Sequence, residues 1–315
     1  MLTADRSTQA LPARRASLGA RLGRSPSAFA YLLNAPAILL LLALVAYPIL
    51  DAFWLSLHRY NLRRPDVYDF VWLQNYVDVV TSDLFPGSLG VTLLFTFWST
   101  VGVLVLALGA ALVANEKTPE QPVLRTLLLL PWAMPGVVTA LMWKWIFHPQ
   151  AGALNGLLFS LGLIPAYRSW LMAPDTSYLS IVTANVWNTM PFSVLVLLAA
   201  LQTIPGELYD AAKVDGADIF GRFRYVTLPW LVHPILIVLI VQALGGIRIF
   251  EIIYLLTGGG PGNASTTLGF AAYMTSFVST DVGRGNAWAY TIALLTFAIA
   301  VVYMRLLYGR GDIRT

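Results

Sequence analysis

The chain has 315 residues, of which 57% are hydrophobic and only 11% carry a charge. A soluble domain carries about 25% charged residues, so the composition excludes an ordinary soluble protein and indicates a membrane protein. The net charge of +4 reads as membrane topology rather than nucleic-acid binding, and the lack of cysteine excludes disulfides, zinc–thiolate sites and cysteine nucleophiles.

Residues 1–28 form a basic tail with Arg6, Arg14, Arg15, Arg21 and Arg24. The apolar run that follows is too long for the core of a signal peptide. Six runs reach the roughly 20 apolar residues that a spanning helix needs, over about 29–53, 89–114, 123–147, 178–201, 228–244 and 288–307. Apolar character continues past Gly245-Gly246, and about thirty helical residues would exceed the hydrocarbon core. The fifth helix is therefore expected to end or bend at the glycine pair. Pro131, Pro135, Pro191 and Pro229 punctuate the spans and are expected to kink them.

Orientation follows from Lys and Arg. With the N-terminus in the cytoplasm, thirteen cations fall inside and six outside, namely Arg59, Arg63, Arg64, Arg168, Arg248 and Arg284. Both termini are then cytoplasmic, the last eight residues, 308–315, being a short tail. The outer segments 55–88 and 148–177 are long and rich in interfacial aromatics such as Tyr60, Tyr68, Trp72, Tyr76 and Trp170. Lys144 is expected to snorkel at the outer end of the third span. Arg248 and Glu251 are three apart, a spacing that pairs side chains on one helical face, as a structural ion pair or an outer gate.

The loop 204–227 combines helical periodicity with dense charge. Leu208, Ala211, Ala212 and Asp215 lie at i, i+3, i+4, i+7, a face of small groups ending in a carboxylate. Gly216, costly in a helix interior, suggests a tight turn between two short helices. Thr257–Thr266, TGGGPGNAST, is a glycine-rich outer loop but no phosphate loop, because no Lys-Ser/Thr follows the glycines and no strand precedes them. The three histidines, His58, His148 and His233, lack metal-ligand spacing, so neither a metal nor a catalytic set is expected.

Each polar side chain inside a span is a site hypothesis. Asn185, Asn188 and Thr189 lie on the fourth span, with Phe192 one turn beyond Asn188, and Gln242 lies on the fifth beside Gly245-Gly246. An amide next to a ring suits a sugar, whose hydroxyls bond the amide while its C–H face stacks on the ring. An Asn or Gln in a span equally ties helix to helix.

Asp210-Ala211-Ala212, Gly216, Val226 and Leu228-Pro229 resemble the EAA loop of permease subunits of ATP-binding-cassette importers. That pattern runs Glu-Ala-Ala, three residues, Gly, nine residues, Ile, one residue, Leu-Pro. Every spacing matches, and Asp210 and Val226 depart conservatively. The resemblance extends to Tyr47-Pro48-Ile49, to Arg125–Pro131 with Pro135, Trp143, Phe147 and Gly152–Asn155, to Trp187–Phe192 and to Thr257–Pro261. It covers nearly all of residues 30–307 and is nearest the maltose/trehalose-type carbohydrate permeases.

The resemblance implies an all-α integral membrane protein with six transmembrane helices and the type I ABC importer permease fold. It implies a sugar importer subunit in the cytoplasmic membrane that is not itself an enzyme. Its partners would be a second homologous permease, two ABC ATPase subunits that hold ATP and Mg, and an extracytoplasmic sugar-binding protein. Coupling to the ATPases falls on Asp210, Ala211, Ala212, Asp215, Gly216, Ala217 and Phe220, and solute contacts on Asn185, Asn188, Thr189, Phe192, Gln242 and Gly246. The alternatives are an ABC permease for another polar solute such as glycerol phosphate, which would want arginines in the pathway, and a secondary transporter, which would want buried carboxylates. The spans show neither.

Overall fold

The computed structural model describes residues 26–116 and 118–308. The expected tail cations Arg6–Arg24, Lys117 and the tail beyond residue 308 lie outside the described residues. The chain divides into two units, residues 1–54 and 55–315.

In the first unit, α1 (Pro26–Leu41) passes through a π-helical turn, Leu42–Ala46, into α2 (Tyr47–Ser56). Pro36, inside α1, cannot donate to the helical ladder. Asn34 instead donates its amide to the Ala30 carbonyl at 2.8 Å, keeping its own polar group satisfied within an apolar helix.

The second unit opens with a β-hairpin, β1 (His58–Asn61) and β2 (Arg64–Phe70). His58 and Tyr60 face Phe70 and Tyr68 across the ladder, and His58 stacks on Tyr68 with centroids 4.5 Å apart. A short helix, α3 (Gln74–Val80), leads into α4 (Leu84–Asn115). At 32 residues, α4 is about 48 Å long, so it projects beyond a hydrocarbon core of about 30 Å.

The expected single span over 123–147 is instead two helices, α5 (Gln121–Ala133) and α6 (Gly136–Ile146), bent by 99°. Pro135 is the cause. It pushes the preceding Met134 into an extended conformation, φ −85° and ψ 130°, and supplies no N–H to continue the ladder. A short α7 (Ala153–Ser160) precedes α8 (Pro174–Leu201).

Two further short helices, α9 (Gly206–Val214) and α10 (Ile219–Arg222), follow. α10 runs through a π turn, Phe223–Thr227, into α11 (Leu228–Ile247), so residues 219–247 form one unbroken helix. The expected loop over 204–227 thus ends at residue 218, and its second half is the foot of the fifth span. α12 (Glu251–Leu256), α13 (Leu268–Tyr273) and α14 (Val282–Tyr308) complete the chain.

The long helices α4 and α8 run side by side and form the centre of this unit. Ala107, Ala111 and Ala114 on α4 are fully buried against Val194, Leu197 and Leu201 of α8 and Leu231 of α11. Small residues at this spacing let helices approach closely in lipid, where packing rather than the hydrophobic effect drives association. A second cluster gathers Phe95, Val103 and Ile181 with Ile252 and Phe270, and a third joins Val79, Ile247 and Leu268 to Trp288 of α14.

Candidate functional site

The helix pair α9–α10 is built on local chemistry. Pro205 precedes α9 in an extended conformation, and Glu207 in the first turn with Lys213 in the last complements the helix dipole. The turn between the helices falls at Gly216, whose φ of +80° is the left-handed conformation that glycine adopts without the Cβ penalty. Ala217 N–H then donates to the Ala212 carbonyl at 2.8 Å. Asp218 caps α10, accepting the Gly221 N–H at 2.7 Å.

Asp210 pairs with Lys213 of its own helix at 2.9 Å, a surface bridge of small energetic value. Asp210, Ala211, Asp215, Gly216 and Phe220 are exposed, with Ala212 and Ala217 half-buried. The apolar side chains around them are unusually bare: Val214 is 88% exposed, Ile219 80% and Phe220 70%. Beneath, a cleft of about 1150 Å³ opens between Tyr209, Asp210 and Phe220 on one side and Leu112, Asn115 and Glu116 of α4 on the other.

Two polar ties hold this end to the bundle. The Tyr209 and Thr227 hydroxyls bond each other at 3.0 Å, joining α9 to the root of α11. The Ala114 carbonyl, at the end of α4, accepts from Gln121 Nε2 at 3.1 Å and from Arg125 Nε and Nη2 at 3.3 and 3.2 Å. The guanidinium thereby meets the negative end of the α4 dipole. Neither Tyr209 nor Arg125 was legible as a tie from spacing, since each partner belongs to a different helix.

The span residues separate by what they touch. Asn188 donates its amide to the Pro131 carbonyl at 3.0 Å and to Thr139 Oγ1 at 3.1 Å. Pro131 O is the acceptor that residue 135 would have served in a continuous helix, and proline cannot serve it. The Met134 N–H reaches that carbonyl only at 3.3 Å, and Asn188 adds a second donor in place of the one the bend removes. Gln242 donates to Ser193 Oγ at 3.1 Å, between α11 and α8, and the Thr189 hydroxyl returns to the Asn185 carbonyl at 2.9 Å.

Phe192 lies beside Trp132, with centroids 6.0 Å apart. Gly246 packs directly on α4: a Cβ there would stand 2.8 Å from Thr96 Oγ1 and 3.0 Å from its Cα. The space expected at the glycine pair lies at Gly245, which meets nothing within 4 Å. Asn185 is buried on α8, and its side-chain amide makes no hydrogen bond among the described residues. On neighbouring α4, the buried hydroxyls of Ser99 and Thr100 also lack a partner. These groups leave hydrogen-bonding capacity in the interior of the bundle.

The outer residues differ from expectation at one pair. Arg248 and Glu251 form no ion pair, because α11 stops at Ile247 and the helical spacing no longer applies. Arg248 Nε turns back to the Leu244 carbonyl at 3.1 Å, while the Glu251 carboxylate lies against Gly136 at the start of α6. Lys144 is exposed near the end of α6. Its ammonium donates to the Leu255 carbonyl at 3.1 Å, in the last turn of α12. Among the described residues no group of three His, Asp or Glu side chains could hold a metal.

Parallel α4 and α8, a proline-bent third span, and a glycine-hinged helix pair feeding the fifth span together make the transmembrane permease fold of a type I ABC importer. A bacterial alginate ABC transporter, solved in complex with an alginate-loaded periplasmic protein, shares it with a TM-score of 0.77 at 22% identity, over 95% of this chain and 99% of that one. Residues 104–311 match the family described as the binding-protein-dependent transport system inner membrane component, and the chain belongs to that family. It is a multi-pass inner-membrane protein and a permease. The trehalose/maltose transport system permease protein MalF of Thermococcus litoralis is 38% identical over 90% of this chain and 94% of its own length. The trehalose transport system permease protein SugA of Mycobacterium tuberculosis is 36% identical over 88% of each.

Proposed function

We propose that the chain is one permease subunit of an ATP-driven importer of a neutral sugar. It works with a second homologous permease, two ATPase subunits that hold ATP and Mg, and an extracytoplasmic sugar-binding protein, and both of its termini are cytoplasmic. The observation that carries the coupling role is the helix pair hinged at Gly216, with Val214, Ile219 and Phe220 left bare at the end of the bundle. Apolar side chains this exposed, at the tip of a charged segment, suit a surface that a partner covers. Asp210, Ala211, Ala212, Asp215, Gly216, Ala217 and Phe220 seat against a cleft of the ATPase. Closure of the ATPase dimer pushes on α9 and α10, and α11 moves with α10 because the two are one helix.

Among the solute candidates, Asn185 supports a direct role best, because its amide is buried yet free to bond sugar hydroxyls. Thr189, Phe192 and Gln242 complete the lining, Gly246 permits the close approach of α11 to α4, and Asn188 sets the bend of the third span. A disaccharide such as trehalose or maltose is the preferred class, after the relatives.

A charged glycoside or glycerol phosphate is the second reading, favoured by 34% identity to the sulfoquinovosyl glycerol transport system permease protein SmoG of Agrobacterium fabrum. An anion would want a guanidinium beside it, and α4, α8 and α11 contain no Lys or Arg, which favours the neutral solute. The test is uptake of a labelled panel of neutral and anionic sugars in cells with and without the chain. Loss of one neutral sugar on deletion, with Asn185→Ala raising its half-saturating concentration at unchanged membrane level, is the expected result. Loss of only anionic solutes would overturn the neutral assignment.

A further inference from the structure

The end of the bundle opposite α9–α10 carries a cavity that a neutral sugar does not explain. The hairpin and the start of α14 enclose about 550 Å³ lined by Arg59, Arg63, Arg64 and Arg284 against Asp78 and Asp281, four cations to two anions. Arg284 engages both carboxylates: Nη2 meets Asp78 Oδ2 at 2.6 Å and Nε meets Asp281 Oδ2 at 3.8 Å. The Asp78 carboxyl is held below its usual range by a hydrogen bond from Gln74, with Arg284 adding to the effect. Arg63 spends one nitrogen on the Val278 carbonyl at 3.0 Å. The side chains of Arg59 and Arg64 make no hydrogen bond or ion pair among the described residues, although Asp69 stands opposite Arg59 in the ladder. Neither guanidinium is held by a partner, although the Arg59 charge is felt at Asp78, and the two carboxylates that line the cavity are both engaged by Arg284.

The frame that holds them is stiff. Buried Asn75 donates to the Ser56 and His58 carbonyls, each at 2.8 Å. The Leu62 N–H donates to the Thr280 carbonyl at 3.0 Å, and the Thr280 hydroxyl donates to Asn61 Oδ1 at 3.2 Å. Gly283 has no side chain to block the His58 carbonyl that lies against it. Guanidinium forks fit carboxylates bidentately, and a frame already in place avoids the ordering cost of binding.

We infer that this arginine-lined cavity receives a carboxylate-bearing surface of the extracytoplasmic binding protein, so that charge steers docking. The inference rests on the importer reading, which sets this end outside the membrane once α9–α10 is inside. It adds the sign of the partner's surface, which must be acidic where it meets β1 and β2.

The experiment uses the complete importer in nanodiscs with its ATPase subunits, following ATP hydrolysis against binding-protein concentration at low and high salt. In the unaltered complex, the half-saturating concentration rises with salt. Arg59→Glu with Arg64→Glu raises it about tenfold at low salt, keeps the maximal rate and flattens the salt dependence, the pattern of a lost steering charge. Arg59→Gln with Arg64→Gln moves it in the same direction by about threefold and introduces no repulsion, so it guards against a reversal variant that fails to assemble. Unchanged half-saturation and salt dependence in the Gln variant would overturn the socket and leave the importer reading intact. An unaltered complex that no extracytoplasmic binding protein stimulates would overturn the importer reading itself.

Discussion

The two ends of the bundle are built on opposite plans. The outer end is tied by buried polar groups such as Asn155, whose partners lie in the chain. Asn155, fully buried, donates its amide to the carbonyls of His148, Pro149 and Arg168 at 3.3, 3.1 and 2.9 Å, and its Oδ1 accepts from Arg168 N–H and Trp170 Nε1 at 3.3 and 2.9 Å. The glycine-rich loop is similarly self-contained: the Thr257 and Ser265 hydroxyls meet at 2.8 Å, and the Ser265 hydroxyl donates to the Gly260 carbonyl at 2.6 Å. The inner end is held by the Tyr209–Thr227 hydroxyl pair and the bonds of Gln121 and Arg125 to the Ala114 carbonyl, while its helix pair shows an exposed ion pair, a left-handed glycine and bare apolar side chains. The contrast teaches where each end gets its order. The outer cap carries its own, while the inner helix pair leaves surface for a partner to complete.

That contrast can be broken most severely at Asn155. Asn155→Ala strands several buried carbonyls and the Trp170 indole N–H, and a buried group left without its bond costs about 1–3 kcal/mol. The expected outcome is a thermal unfolding midpoint lowered by several degrees in detergent, with uptake falling in step with the loss of protein. An unchanged midpoint would mean that the outer cap is not self-supporting.

At the inner end the same severity should spare the fold. A Cβ at Gly216 would meet no neighbouring atom within 4 Å, but Gly216→Val forces a β-branched residue into a left-handed backbone at a cost of about 1–2 kcal/mol. Uptake is expected to fall by about tenfold or more, equivalent to about 1.4 kcal/mol or more of lost coupling, because the hinge no longer sets the angle between α9 and α10. Membrane level should stay near that of the parent chain, and the unfolding midpoint should fall by no more than a few degrees. Equal losses of stability and uptake would erase the distinction between the ends.

The smallest effect is expected at Asp78. Its folded carboxyl titrates below the usual 3.8, chiefly through the Gln74 hydrogen bond. A lowered acid pKa contributes stability that is present above the unfolded value and is lost as pH falls through the folded one. Asp78→Asn should therefore lower the unfolding midpoint slightly near neutral pH and leave a shallower decline below about pH 4. A decline identical to that of the parent chain would remove Asp78 from the acid response of the outer cap.

What the sequence made legible follows from how local each cause is. The hinge at Gly216 and the turn after Val214 depend on residues within a few positions, and their spacing announces them. The end of the fifth span at Ile247 follows from the glycine pair in the same way. The bend at Pro131–Pro135 was legible as a kink but not as a right-angle break, because its polar completion comes from Asn188 on another helix. The hairpin escaped notice because Arg59, Arg63, Arg64, Asp66 and Asp69 interrupt a short aromatic alternation. The period-two pattern of His58, Tyr60, Tyr68 and Phe70 is the signal that would have found it. The pairing expected of Arg248 with Glu251 assumed a helix that the chain does not continue.

The π turn at Phe223–Thr227 has a consequence for how the chain tolerates change in length. A π turn holds one residue more than the α-helix around it, so this stretch already stores an insertion. Deleting one residue there would restore plain α-helix and rotate Asp218, Ile219 and Phe220 by about 100° relative to the lipid-embedded part of the same rod. Phase, more than side-chain identity, would then separate a working variant from a silent one, and swapping this segment between relatives should succeed only when the extra residue travels with it.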